Sequence, residues 1–307
     1  MIIVPVSETK PETISVGVVC MTSAHHLSRC LAALRAQRRA PHFDVTVVID
    51  PSVSAIDICG GEFPDVRFVT DTGPLTPLQL VSRVLRECRG DLILLTKDHC
   101  VPGPDWVRGM VEAQAPGRAA VGGRVEPAPD ASATDWAFFF IDFYRYTAPV
   151  EEGPTSVLTV CNVSYARSRL EAVRDLWTDT FVEAAVNRAL AARFGALWMH
   201  VASEVTMHRH LTLREALRER CALGRVFGWS RIATSGPRRR LFYATFAPAL
   251  PLLLLGRLTA AAMRSRRHRA ALVRSLIPLT VLVVGRSWGE WLAYVTGRPP
   301  RGLEPMH

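Results

Sequence analysis

The first hundred residues alternate short apolar runs with amphipathic segments. Leu27, Cys30, Leu31 and Leu34 recur at helical spacing, and TPLQLVSRVLREC (76–88) does the same behind a threonine cap and an early proline, so both segments predict helices. The predicted strands are TISVGVVC (13–20), FDVTVVID (43–50), DVRFVTD (65–71) and DLILLT (91–96). This order predicts the α/β arrangement that is typical of nucleotide-binding domains.

The α/β pattern continues to about residue 210. The predicted elements are a helix opened by Pro104, a strand at 119–127, a strand that runs into a helix at 155–173, a helix at 180–196 and a strand region at 197–210. The aromatic-rich stretch DWAFFFIDFYRY (135–146) has no decisive periodicity, so we assign it no element.

The C-terminal third has a different pattern. LREALRERCALGRVFGWSRI predicts a basic amphipathic helix, and two apolar runs follow at 241–256 and 275–285. About 20 apolar residues are needed to cross a bilayer, and Arg257 and Arg286 interrupt these runs. A crossing hairpin would also place the basic segment RSRRHR (264–269) against the positive-inside tendency. We therefore favour an interfacial hairpin on an anionic leaflet; two true spans, or a packed helix pair in a soluble protein, are open alternatives.

The net charge also differs between the α/β part of the chain and the C-terminal third. From His208 onwards the chain has 18 arginines and four acidic residues, a net charge of +14, whereas the rest carries −5. A basic segment of this kind predicts an anionic partner. Nucleic-acid binding would call for aromatic residues among the basic ones, but here arginine clusters alternate with aliphatic runs, which favours a membrane surface and no nucleic acid.

The amino-acid composition indicates the class of protein. With 49% hydrophobic and 21% charged residues, the 307-residue chain is typical of a folded globular protein. The seven cysteines are scattered without a CxxC spacing, which indicates free thiols in a reducing compartment. The start MIIVPVSETKPET lacks a basic n-region, so we expect no signal peptide.

The stretch LLTKDHCVPGPDW (94–106) carries the most unusual chemistry. Four residues crowd the end of a predicted buried strand, and we call them the strand-tip cluster: Lys97, Asp98, His99 and Cys100. Such groups are costly to bury, which places them at an exposed tip. Ligands of open α/β sheets bind at strand tips, but a solvated turn without a ligand is the alternative.

Taken in order, these segments resemble the family-2 inverting glycosyltransferases, from about Ser15 to His210. SVGVVCMTSAHHLSRCLAAL, VTVVID, GDLILLTKDHCVPGPDWV, AVGGRVEP and CNVSYARSRLEAV correspond in order and spacing to family segments. The resemblance implies an α/β GT-A fold, with a mixed central sheet and helices on both faces, followed by a helical C-terminal extension. The implied domains are a donor-binding half (13–100), an acceptor-binding half (101–210) and the basic tail (211–307).

The resemblance also implies the residues that bind a nucleotide sugar. These donor-site residues are Thr22, Ser23, Asp50, Lys97, Asp98 and Asn162. Thr22 and Ser23 are also possible helix caps, Asp50 could instead form a turn before Pro51, and Asn162 could satisfy backbone groups.

A divalent metal, Mg or Mn, is implied as well, because it would stabilise the departing diphosphate. His99 and, from the last strand, His208 take the metal-ligand positions. Lys97 stands where the family usually has an acid, and this departure weakens the metal requirement.

Glu183 matches the position of the family's general base, which takes the proton from the attacking hydroxyl. Asp179 is a competing candidate, although an aspartate at a helix start is typical of an N-cap.

We therefore expect an enzyme that moves a sugar from a nucleotide-diphosphate sugar to a lipid-linked or growing glycan at the cytoplasmic membrane face. A GT-A nucleotidyltransferase is disfavoured because the chain lacks a glycine-rich, lysine-bearing N-terminal loop. A catalytically degenerate GT-A scaffold or a membrane-binding protein is the alternative.

Overall fold

The computed structural model describes residues 11–54, 56–73, 75–232 and 235–298. It divides into two compact units: unit 1 comprises Met1–Glu126 and Tyr146–His208, and unit 2 comprises Pro127–Arg145 and Arg209–His307. The domain boundaries after residues 100 and 210 stay predictions. The signal-peptide prediction rests on residues 1–10, which lie outside the described residues.

The strands alternate with helices through unit 1. The strands are β1 (Ile14–Cys20), β2 (Asp44–Ile49), β3 (Arg67–Thr70), β4 (Leu92–Lys97), β5 (Cys100–Pro102), β6 (Arg118–Pro127), β7 (Gly153–Thr155), β8 (Asn162–Ala166) and β9 (Ala196–Met207). The helices of both units are α1 (Ala24–Arg35), α2 (Ile56–Glu62), α3 (Pro77–Glu87), α4 (Trp106–Glu112), α5 (Ala133–Asp142), α6 (Arg167–Glu171), α7 (Glu183–Phe194), α8 (Leu213–Ile232), α9 (Pro237–Phe246), α10 (Leu250–Arg264) and α11 (Arg266–Thr296).

One mixed sheet organises unit 1, in the order β3-β2-β1-β4-β8-β6-β9-β5, with β7 on β9. β1 pairs in parallel with both β2 and β4, so the ends of these strands meet at one edge, which we call the carboxyl edge. β8 runs antiparallel to β4 with Thr96 opposite Asn162, so the start of β8 lies at this edge too. All seven residues of β1 are buried, as expected for a central strand covered on both faces.

The four strands and two helices predicted in the first hundred residues all form. Thr76 and Gln79 make a reciprocal capping box at the start of α3, and Ser23 accepts a hydrogen bond from the His26 backbone at the start of α1. The short elements α2, β5 and β7 were not predicted. β5 and β7 have three residues each, too few for a visible period, and α2 contains two glycines.

The unassigned aromatic stretch forms α5, a helix of unit 2. Its phenylalanines 138, 139 and 140 are all buried, so the helix is apolar around most of its surface and shows little periodicity. Arg220 of α8, 2% exposed, pairs with Asp142 of α5 at 2.6 Å and lies 4.0 Å over the Phe138 ring. This buried pair joins α5 to α8.

Glycines bring α8 and α11 into backbone contact. A Cβ added at Gly224 would lie 2.1 Å from the carbonyl oxygen of Arg286, and one added at Gly289 would lie 2.0 Å from that of Cys221. Gly228 meets Glu290 in the same way, at 2.7 Å. Gly224 and Gly228 are four residues apart on α8, as Gly285 and Gly289 are on α11. Each helix therefore has the small-residue face that allows close approach.

The apolar runs lie within two helical stretches that are long enough to cross a membrane. Pro237–Met263 has 27 residues and Arg266–Thr296 has 31, and the most apolar 18 residues of each stretch have a mean hydropathy of 1.5. Of these 18 residues, 17% are buried in the first stretch and 44% in the second. The core helix of a soluble protein would be mostly buried, so the first stretch leaves an unusually large apolar surface exposed.

We predict that Gly289→Ala destabilises unit 2 by about 1–3 kcal/mol, because the new methyl group overlaps the Cys221 carbonyl. The measurement is thermal unfolding of the purified protein in detergent. Gly256→Ala in α10 is the matched control, since an added Cβ meets nothing within 4 Å there and alanine is the better helix former. Equal unfolding temperatures for the two variants would contradict the backbone contact.

Candidate active site

The carboxylate of Asp98 organises the carboxyl edge. It is fully buried, and Oδ2 accepts hydrogen bonds from the Met21 and Thr22 backbone nitrogens at 3.0 and 2.7 Å and from the Thr22 hydroxyl at 2.7 Å. Oδ1 accepts from the backbone nitrogen and from Nδ1 of His99, both at 3.0 Å. Burial alone would raise the pKa of Asp98, but the hydrogen bonds from His99 and Thr22 outweigh it and hold this pKa below its usual range.

His99 stands beside two buried thiols. One ligand atom from each of His99, Cys100 and Cys161 lies within 4.8 Å of the other two, and all three residues are buried. The Cys100 thiol donates a hydrogen bond to the Cys161 sulfur, which lowers the pKa of Cys161 and raises that of Cys100. The structure therefore brings part of the strand-tip cluster together with the residue that immediately precedes β8.

The other predicted donor-site residues surround this point. Lys97 ends β4, and its positive charge acts on both thiols. Asp50 follows β2 and accepts hydrogen bonds at Oδ1 from the backbone and hydroxyl of Ser52, at 2.9 and 2.7 Å. Ser23, the cap of α1, contacts His26 through its hydroxyl at 2.8 Å. Lys97, Asp50 and Ser23 all lie in or next to loops of the carboxyl edge.

Asn162 is placed at the same edge but is completely buried. Its Oδ1 accepts from the Trp106 indole at 2.7 Å, and its Nδ2 donates to the carbonyls of Arg124 and Ser203 at 2.7 and 2.8 Å. This is the backbone-satisfying role that the sequence left open. A contact between Asn162 and the donor stays a prediction.

Glu183 reaches the carboxyl edge from the first residue of α7. Its Oε2 accepts a hydrogen bond from the Val160 backbone nitrogen at 2.7 Å, one residue before Cys161. Because Cys161 contacts the strand-tip cluster, the carboxylate of Glu183 and that cluster belong to the same end of the sheet. Asp179 is exposed in the turn before α7, and the helix has no side-chain cap.

His99 and His208, the predicted metal pair, are joined by a hydrogen bond between their backbones. The His208 nitrogen donates to the His99 carbonyl at 2.7 Å. Arg29 of α1 approaches the His208 ring, 3.1 Å from Nδ1, whereas the His99 ring contacts Asp98. A guanidinium has no acceptor, so Arg29 can only donate in this contact. Within the described residues, these two rings belong to different candidate ligand groups.

The residues at the tip do not form a site for a hard cation. Magnesium and manganese prefer several carboxylate or carbonyl oxygens. Both oxygens of Asp98 are occupied by hydrogen bonds from the protein, and the neighbouring position is Lys97 rather than an acid. The ligand chemistry that the tip does offer is imidazole and thiol.

A cavity of about 1020 Å³ lies elsewhere in unit 1. Its lining includes Leu92 at the start of β4 and Ala166 at the end of β8, which are paired in the sheet, together with Arg39, Arg108 and Arg169. These residues mark the edge opposite the carboxyl edge. This cavity is therefore distinct from the candidate active site.

Two contacts of the site were missed by reasoning from the sequence. The sequence does not distinguish Cys161 from the other scattered cysteines, and it assigns Arg29 no role. Pairing of β8 against β4 would have placed Cys161 beside the strand-tip cluster, but the antiparallel direction of β8 is not visible in its own sequence. Arg29 carries no motif that distinguishes it from a surface arginine.

Comparison with known proteins identifies the architecture. The model of the family described as glycosyl transferase family 2 matches residues 15–174. A mannosyltransferase from Pyrobaculum calidifontis, PcManGT, solved in complex with GDP-Man and Mn²⁺, is similar with a TM-score of 0.52 at 17% identity, covering 96% of this chain and 87% of that chain. S. aureus TarS 1-349, in complex with UDP-GlcNAc, has a TM-score of 0.51 at 11% identity, covering 93% of this chain and 92% of that chain. No curated protein sequence matches significantly. At such identities these structures bear on the fold alone, and the predicted GT-A fold is confirmed.

We predict that Asp98→Asn destabilises unit 1 by about 3 kcal/mol at neutral pH, because the amide group of asparagine cannot replace a carboxylate that accepts five hydrogen bonds. Hydrogen exchange of peptides that contain β1 and β4 measures the loss. Asp65→Asn is the control; its side chain is 75% exposed, and its change should stay within about 0.5 kcal/mol.

The difference between wild type and Asp98→Asn should depend on pH. Asp98 has a lowered pKa in the folded state, so its contribution is complete above the unfolded-state pKa and is lost as the pH falls through the folded-state value. The difference should therefore be largest at neutral pH and shrink below about pH 4. A difference that is constant with pH would contradict the hydrogen-bonded carboxylate.

Proposed function

The chain belongs to glycosyltransferase family 2, and from this premise we propose that it transfers a sugar from a nucleoside diphosphate sugar to an acceptor hydroxyl with inversion at the anomeric carbon. The observation that carries the proposal is the position of Glu183. Its carboxylate contacts Val160, next to Cys161, which contacts the strand-tip cluster. A carboxylate and the strand-tip cluster thus share one edge of one sheet.

The donor diphosphate would bind at the carboxyl edge. The loop after β1 starts α1 with Ser23 as its cap and without an acid in the first turn, so its backbone N–H groups favour an anion. Lys97 at the end of β4 adds a positive charge that would stabilise the leaving diphosphate as the glycosidic bond breaks. Asp50 after β2 would accept hydrogen bonds from the nucleoside. The solved relatives were crystallised with GDP-Man and UDP-GlcNAc, ligands of this class.

Mg or Mn stays a prediction of the resemblance, and PcManGT was solved with Mn²⁺. The strand-tip cluster offers no set of oxygen ligands for such a cation, so we assign it no step, and the charge on the leaving diphosphate would need neutralisation by other groups. The chain's own contribution to that neutralisation is Lys97, and Asp98 serves to order the loop that follows β1.

Glu183 would act as the general base. Inversion requires one carboxylate on the acceptor side to take the hydroxyl proton while the oxygen attacks the anomeric carbon. The hydrogen bond from Val160 to Oε2 holds the side chain in place. Thr22 and Ser23 would line the donor side, and Asp179 remains the competing base.

The acceptor would be lipid-linked or a growing glycan at the cytoplasmic face of a membrane. Among the described residues, Val182 is the only large apolar side chain of unit 1 that is exposed, whereas unit 2 exposes Leu241, Phe242, Phe246, Leu252, Leu253, Ile277 and Trp288, among others. The net charge of +14 after residue 207 suits an anionic leaflet. The exposed apolar surface of Pro237–Met263 favours contact with lipid over a soluble helix pair.

A catalytically degenerate scaffold is the second candidate. Lys97 in place of an acid and an Asp98 that is occupied by internal hydrogen bonds favour it. Hydrolysis or transfer of a nucleotide sugar, screened over several donors, excludes it; binding of a donor without any turnover would support it.

We predict that Glu183→Gln lowers kcat by at least about 100-fold and leaves donor affinity unchanged. Glutamine keeps an oxygen that can accept from Val160, so the local structure is retained while the basic group is lost. Turnover is measured with the donor found in the screen, and donor affinity by calorimetry. Asp179→Asn is the control and should retain activity; the reverse result would move the base to Asp179.

We predict that Ile277→Arg weakens membrane binding, because Ile277 is 78% exposed in the middle of α11 and an arginine there costs about 2.5–3.5 kcal/mol in hydrocarbon. Flotation with anionic liposomes, in the presence and absence of salt, is the measurement. Val182→Arg, at an exposed apolar position of unit 1, is the control. Equal flotation of wild type and Ile277→Arg would argue against contact of α11 with lipid.

A further inference from the structure

The side chains of His99, Cys100 and Cys161 converge on one point in the interior of unit 1. Their candidate ligand atoms all lie within 4.8 Å of one another, and the residues are 2%, 0% and 1% exposed. Two chain segments meet here: the stretch that leads from the turn after β4 into β5, and the residue before β8. We propose that this group is a binding site for a thiophilic divalent cation of the Zn²⁺ class.

The chemistry of the three atoms selects the type of metal. Two thiols and an imidazole are ligands that zinc prefers, whereas magnesium and manganese prefer oxygen. The spacing suits tetrahedral coordination, since ligands about 2.0–2.3 Å from a zinc ion are themselves less than 4.8 Å apart. Within the described part of the chain, no fourth side chain of these types joins the group, so the fourth position is left to an exogenous ligand.

The contact between Asp98 and His99 supports the site independently. Nδ1 of His99 lies 3.0 Å from Oδ1 of Asp98, so it carries the proton and donates to the carboxylate. With Nδ1 bound to the carboxylate, Nε2 is the nitrogen that would bind the metal. Histidines that bind metals usually donate their other N–H to a carboxylate or carbonyl in this way, which orients the ring and makes it a better ligand.

Charge balance favours the same cation. Binding would release one proton from each thiol, and the two thiolates would neutralise the two charges of the metal. A neutral assembly is far less costly to bury than a free dication or a pair of thiolates. The proposal does not depend on glycosyl transfer.

The test uses the full chain, reduced and stripped of metal, without any nucleotide sugar. Titration with Zn²⁺ against a chromogenic chelator should show one tight equivalent. Cys161→Ser should weaken Zn²⁺ binding by more than the roughly 100-fold that loss of an outer-shell partner costs. Cys88→Ser is the matched control, because Cys88 is equally buried in unit 1 but lies outside the group.

Substitution with Co²⁺ gives a second measurement that needs no variant. Wild type should develop a thiolate-to-cobalt charge-transfer band in the near ultraviolet, and Cys161→Ser should lose most of its intensity. Absence of this band in the folded wild-type protein overturns the proposal even if the variant fails to fold. Equal Zn²⁺ affinity in Cys161→Ser and Cys88→Ser also overturns it, as does a Cys100–Cys161 disulfide in protein purified under reducing conditions.

Discussion

The buried carboxylate of Asp98 is the interaction on which the active edge of unit 1 depends. A charge in the protein interior persists only if hydrogen bonds replace its lost water, and here the loop after β1 and the imidazole of His99 provide them. The same hydrogen bonds that stabilise the carboxylate also fix the groups that donate them. The loop that starts α1 is held against the end of β4, and the ring of His99 is held in one orientation. The residues that would meet the donor are therefore ordered by a group that does not itself need to contact it.

The sheet makes this edge a meeting point of distant segments. Parallel pairing brings together the loops after β1, β2 and β4, and antiparallel pairing of β8 adds the segment 158–161. Glu183 is attached to that segment through Val160, so a residue of a late helix is fixed relative to an early strand. The two chemical requirements of glycosyl transfer, charge neutralisation and proton removal, can be met at one edge because strand direction assigns both groups to it.

Much of this could be predicted from the sequence because the central strands are buried on both faces. β1 and β4 appear as continuous runs of Val, Ile and Leu, and the polar residues that end β4 mark its tip. The bonds of Asp98 could not be predicted, because they depend on which loop folds over the tip. The contact of Cys161 with His99 and Cys100 could not be predicted either, because it depends on the antiparallel direction of β8, which the whole sheet determines. α5 could not be predicted because Phe138, Phe139 and Phe140 are all buried. A helix that is buried on nearly all sides has no alternation of apolar and polar positions from which to recognise it.

Unit 2 is stabilised by a different principle, and its glycines have a mechanical consequence. Where Gly224 and Gly228 meet the backbone of α11, and Gly289 that of α8, no layer of side chains separates the helices. Side chains can change rotamer to absorb a small displacement, but two backbones in van der Waals contact cannot. Sliding of α11 along α8 would drive carbonyl oxygens into α-carbons. If unit 2 responds to bilayer thickness or tension, α8 and α11 should therefore move together as one rigid body.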